Sequence, residues 1–155
     1  MRAAVAEHRL EVDIVGACPL WRGHEEALSK ALAAAAAAER KTGEVSLLLG
    51  DDASIAALNQ QFRGKAGPTN VLSFPPGAGG EGQGRFLGDI ALAAETVAEE
   101  AEFQGKSFAN HASHLVVHGF LHLLGYDHMN PEDAEAMEAR ERAILATLGI
   151  EDPYA

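Results

Sequence analysis

Cysteine is nearly absent: Cys18 is the only one in 155 residues. An internal disulfide is therefore excluded, and a reducing, cytosolic setting fits. No apolar run reaches the length of a membrane span, and the opening MRAAVAEHRLEVDIV lacks the unbroken apolar core of a secretory signal. The expectation is a cytoplasmic protein with no membrane partner. Basic residues are also scarce, 12 Lys and Arg against 23 Asp and Glu, for a net charge of −11. Nucleic-acid binders normally present a basic face, so this balance counts against a general one, and DNA is not expected as a partner. What is present is a hydrophobic content of 47%, that of a globular chain. The length suits a single domain, 1–155, better than two.

The periodicities predict an α+β chain. Leu10, Val12 and Ile14 alternate with Glu11 and Asp13, which is a half-buried strand over 9–15. Residues 21–41 read as one alanine-rich helix with Leu28 and Leu32 as its packing stripe. A second strand is expected over 44–49. Asp51 or Asp52 would cap a helix bearing Ile55, Leu58 and Phe62. Short strands follow over 70–74 and 85–93, joined as a long hairpin by the glycine-rich loop 77–84. Helices are expected over 95–104, over 108–124, and from Pro131 onward, with Met137, Ile144, Leu145 and Leu148 as the last one's core face. The fold class is a small mixed sheet of about four strands packed with helices around one central helix.

That central helix carries the chemistry. His118 and His122 lie four residues apart on one helix face, Gly125 can end the helix in a left-handed turn, and His128 can then swing back. Three imidazoles on one ion leave a tetrahedral metal an open position for water or substrate. The spacing is that of the metzincin proteases with one change: the general-base Glu of that motif is replaced by Gly119. His111 and His114, which precede His118 at successive spacings of three and four residues, read as core or supporting residues. Asp127 is the carboxylate inside the motif, placed to orient a ligand histidine, shuttle a proton or hold the turn.

Three stretches, LNQQFRGKAGPTNVLSFP (58–75), LGDIAL (87–92) and HGFLHLLGYDH (118–128), resemble the YbeY family of single-strand-specific metallo-endoribonucleases. The resemblance implies a zincin-like α+β fold and one Zn2+ held by His118, His122 and His128. It further implies maturation of the 3′ end of small-subunit ribosomal RNA and ribosome quality control. The implied partners are single-stranded RNA, the small ribosomal subunit and its associated proteins. Arg63 falls where that family has its functional arginine. One departure is Asn70, where the family pattern usually carries Asp.

Arg63, a fork that matches phosphoryl oxygens, is the candidate catalytic residue. Lys65 and Arg85 share its acid-poor stretch and, with Ser73, are candidate substrate contacts. Arg63, Lys65 and Arg85 are expected to rim the metal cleft, with the acidic helices facing away. Two other readings stay open, a metallopeptidase-like hydrolase and a non-catalytic, zinc-stabilised, ribosome-associated factor.

Overall fold

The computed structural model describes residues 9–16, 18–76 and 85–154. The predicted loop 77–84 lies outside the described residues, as does the opening stretch before Arg9. Four strands, β1 (Leu10–Val15), β2 (Gly43–Gly50), β3 (Val71–Phe74) and β4 (Phe86–Ala93), form a mixed sheet in the order β1-β2-β4-β3. β1, β2 and β4 run parallel, and β3 pairs antiparallel with β4, Val71 opposite Leu92 and Phe74 opposite Asp89. Five helices pack with the sheet: α1 (Glu25–Glu39), α2 (Asp52–Arg63), α3 (Ala94–Gln104), α4 (Phe108–Leu123) and α5 (Pro131–Thr147). The expected α+β class and sheet size are found. No helix among the described residues is long and apolar enough to cross a membrane.

The period-two pattern of β2 divides the sheet. Val45, Leu47 and Leu49 are buried on one face with Ile90 and Leu92 of β4, against Leu28 and Leu32 of α1 and Val116, Val117, Phe120 and Leu121 of α4. Each such side chain contributes roughly 1.5–3 kcal/mol when fully removed from water. Ala31 and Ala35 are wholly buried in the same cluster, so the alanine run serves close packing. On the opposite face α2 covers a smaller core of Ile55, Leu72, Ala91 and Ala93.

The single helix expected over 21–41 is shorter in the structure. Pro19–Trp21 form a 3-10 turn, Gly23 takes a φ of 84°, and α1 starts only at Glu25. Proline favours the tight turn and glycine the left-handed reset, so the alanine-rich segment does not propagate back to Trp21. Asp51, not Asp52, caps α2, accepting the Ser54 N–H at 2.8 Å. Asp52 instead accepts Thr96 N–H at the start of α3, while Glu95 accepts the Asp52 N–H. That exchange ties the first turns of α2 and α3 together.

Candidate metal centre

Nine of the sixteen residues of α4 are buried, and its cap at Ser107 accepts the Asn110 N–H. Its last turn closes with Gly125 N–H on His122 O and Tyr126 N–H on Leu121 O, and Gly125 has a φ of 103°. This is the Schellman pattern expected of a glycine just past a helix. It turns the chain so that His128 returns to His118 and His122. One ligand nitrogen from each of the three lies within 4.8 Å of the other two.

Two of the rings are held from behind. His118 Nδ1 meets Glu141 Oε2 at 2.7 Å, and His122 Nδ1 meets the Tyr126 carbonyl at 2.9 Å. Both partners are acceptors, so each Nδ1 carries the proton and each Nε2 presents a lone pair. Burial, reinforced by His118 and His128, lowers the pKa of His122, which favours the neutral form that a metal needs. The donors fit a borderline-soft divalent ion such as zinc. Among the described residues the group has three members and no fourth protein ligand, so an ion there keeps an open position.

The three histidines line a cleft of about 610 Å³ together with Arg63, Asn70, Ser73 and Asp127. Arg63 reaches it from the last turn of α2. Ser73 stands on β3 and gives its hydroxyl to the Gly119 carbonyl at 3.0 Å, docking the sheet edge onto α4. Asp127 accepts the His128 N–H at 2.7 Å and so shapes the turn before that histidine. Asn70 donates to Glu100 at 3.1 Å and accepts the Val71 N–H. An Asp there could not donate and would face another carboxylate, which gives Asn70 a local reason.

Lys65 and Arg85 do not line the cleft, contrary to the expected basic rim. Lys65 lies beyond the left-handed Gly64, in a turn held by Asn59 Nδ2 on the Gly67 carbonyl. Arg85 precedes β4, four residues beyond the Asp89–Phe74 pair, about 13 Å further along the strand. Nor do the acidic helices all face away. Glu138 of α5 lines a pocket with His118 and His128, and Glu100 of α3 lines another with His118. Among the residues lining the large cleft, Arg63 is the one Lys or Arg.

Gly119 explains the missing protease base. A Cβ on it would lie 2.9 Å from Ser73 Oγ and 3.2 Å from Ile90 Cγ2. Position 119 faces the sheet, and no carboxylate fits there without moving it.

Sequence reasoning missed Glu141, which is wholly buried. It also accepts His114 Nε2 at 2.7 Å and the Tyr154 hydroxyl. Burial pushes the Glu141 carboxyl up, but the hydrogen bonds from His114, His118 and Tyr154 outweigh it and hold the carboxyl at about 2. A signal was available: Glu141 interrupts the apolar stripe Met137, Ile144, Leu145 and Leu148 at helical spacing, where an unpartnered charge would be costly. His111 is likewise a supporting residue, buried with its Nε2 on Glu100 at 2.8 Å.

A family model described as Endoribonuclease YbeY matches residues 20–149. The chain is 51% identical to Endoribonuclease YbeY of Rhodopseudomonas palustris strain HaA2, an alignment covering 92% of this chain and 80% of that protein. It is 48% identical to the protein of the same name from Parvibaculum lavamentivorans strain DS-1, over 94% of this chain and 85% of the other. The solution structure of TM1509 from Thermotoga maritima aligns with a TM-score of 0.55 at 27% identity, over 88% of this chain and 91% of that one. On the family match and these identities, the chain belongs to the endoribonuclease YbeY family.

Proposed function

We propose that the chain is a zinc-dependent, single-strand-specific endoribonuclease acting in the cytoplasm. Its proposed role is maturation of the 3′ end of small-subunit ribosomal RNA and ribosome quality control, in contact with that subunit and its associated proteins. The observation that supports this most is that Arg63, far from the histidine motif in sequence, lines the same cleft as His118, His122 and His128. The three histidines would hold one zinc, which when bound lowers the pKa of its water to about 7 and so supplies hydroxide at neutral pH.

The chain's own groups do the rest. The Arg63 guanidinium pairs with the non-bridging oxygens of the scissile phosphate and offsets the charge that develops on them. Glu141 and the Tyr126 carbonyl keep the Nε2 faces of His118 and His122 toward the cleft. Asp127 fixes the turn that presents His128. Ser73 holds β3 against α4, so its hydroxyl has a structural partner before any substrate contact. The metallopeptidase reading is disfavoured by the packing at Gly119, which leaves the protease base no place.

Metal analysis of the purified chain, paired with cleavage assays on single-stranded and duplex RNA, tests the proposal. Stoichiometric zinc, cleavage of single strands and loss of cleavage on chelation are expected. Zinc binding without cleavage of any RNA, even with small subunits added, would favour the non-catalytic factor.

A further inference from the structure

Glu141 is the one fully buried carboxylate in the described core, and the hydrolytic reading gives it no contact with substrate. An ion buried this deeply is tolerable only if its lone pairs are satisfied. Three groups converge on it: His118 Nδ1 on Oε2 at 2.7 Å, and His114 Nε2 at 2.7 Å with the Tyr154 hydroxyl on Oε1. An ionised carboxylate only accepts, so all three must donate.

That requirement fixes two tautomers. His118 must carry its proton on Nδ1, which turns the Nε2 lone pair toward the other ligands. His114 must carry its proton on Nε2, and its Nδ1 is then a buried acceptor. The structure leaves that atom without a hydrogen-bond partner. That unpaired acceptor, a condition His111 Nδ1 shares, is the cost of directing the other ring nitrogen at Glu141.

Tyr154 belongs to the segment Gly149–Tyr154, anchored where Ile150 packs against the core and gives its N–H to the Leu145 carbonyl at 3.0 Å, and held beyond that by polar contacts. Lys106 Nζ donates to the Pro153 carbonyl at 3.3 Å, Arg142 pairs with Asp152 at 3.1 Å, and the Arg142 guanidinium lies 5.4 Å from the Tyr154 ring centre. Tyr154 itself is 40% exposed. Its contact with Glu141 is where the partly exposed end of this segment touches the back of the metal centre.

We propose that Glu141 is a positioning residue of the metal centre, completed by the Tyr154 hydroxyl, so that docking of Gly149–Tyr154 and metal affinity are coupled. The inference rests on the proposed metal site. An ion on His118 Nε2 polarises the Nδ1–H and strengthens its bond to Glu141. The reciprocal effect follows from linkage: what holds Glu141 in place raises metal affinity, and metal binding holds the segment.

The test uses the full chain, stripped of metal and titrated with zinc against a chromophoric chelator. Glu141→Gln keeps the shape and removes the charge, and it is expected to weaken zinc binding by about ten- to a hundredfold. Tyr154→Phe is expected to weaken it several-fold, with only a modest drop in the metal-free melting temperature from the lost hydrogen bond. Nitrogen NMR should show His118 protonated at Nδ1 in the native chain and a mixed tautomer in Glu141→Gln. Zinc should slow amide exchange over residues 150–154 in the native chain and not in Glu141→Gln. Should Glu141→Gln fail to fold, Tyr154→Phe decides alone, because position 154 is partly exposed. Native zinc affinity in the variants, with unaltered exchange over 150–154, overturns the inference and leaves the metal site standing. A native chain that binds no zinc overturns both.

Discussion

The carbonyl oxygen of Tyr126 accepts the Nδ1–H of His122 at 2.9 Å, and the same residue's hydroxyl donates to Glu39 Oε1 at 2.8 Å, at the end of α1. Arg140 of α5 closes the group by pairing with Glu39 Oε2. The loop that aims His122 is thus anchored to two helices distant in sequence. Replacing Tyr126 with Phe removes one hydrogen bond and keeps the carbonyl. A loss of about 1 kcal/mol in urea unfolding is expected, with zinc affinity changed little. Loss of zinc as complete as on deleting a ligand would show that the side chain, not the carbonyl, orients His122.

Gly119→Ala sets two effects against each other. Alanine raises helix propensity by about 1 kcal/mol, but its methyl would lie 2.9 Å from Ser73 Oγ and 3.2 Å from Ile90 Cγ2. Overpacking typically costs about 1–3 kcal/mol, so net destabilisation is expected. Combining it with Ser73→Ala removes the nearer clash and should recover part of the loss. A single variant more stable than the native chain would show that β3 yields easily. Gly119→Glu should unfold the chain or displace β3, without conferring peptidase activity.

Much of the fold was legible because its signals are local. The alternation in β1, the stripe of α5 and the Gly125 stop each depend on a few neighbouring residues. The clustering of His118, His122 and His128 was legible for the same reason, since one helix and one turn bring them together. Glu141 was not recovered, because the meaning of a charge in an apolar stripe depends on which helix packs opposite. Lys65 and Arg85 failed in the converse way: closeness to Arg63 in sequence says nothing about the side of a turn, or the end of a strand, on which each lies.

His111 predicts a pH dependence for the metal-free chain. Burial lowers its pKa below the ordinary 6.5, against the opposing pull of Glu100. Lys106 and His114 act in the same direction as burial. The unfolded chain therefore takes up this proton first. The stability contributed by the neutral ring is full above about pH 6.5 and declines as pH falls toward the folded value. His122, whose pKa is also lowered, adds to the slope. His111→Gln, whose amide can still donate to Glu100, should flatten the decline measured by denaturant unfolding between pH 7 and 5. An unchanged slope would mean that His111 does not titrate across the transition.

Arg63 carries the last prediction, which follows from a strongly acidic chain having, among the described residues, one Lys or Arg lining its cleft. Few phosphates can be neutralised there. Binding of a single-stranded oligonucleotide should be weak, with a shallow salt dependence of about −0.7 in log K per phosphate contacted. Arg63→Ala should lower that slope by about one such unit and reduce cleavage by about a hundredfold or more. Zinc content and melting temperature should hold, because Arg63 is exposed at the end of α2. Arg63→Lys should recover part of the binding, since charge is kept, but little of the cleavage, since the planar fork is lost. A variant that loses zinc or unfolds would make Arg63 structural. A steep slope, implying six or more phosphates, would mean that RNA follows a basic track outside this cleft. The same weakness bears on specificity: a site that binds free RNA poorly depends on its ribosomal partners to present the strand, and small subunits should raise cleavage more for the native chain than for Arg63→Ala.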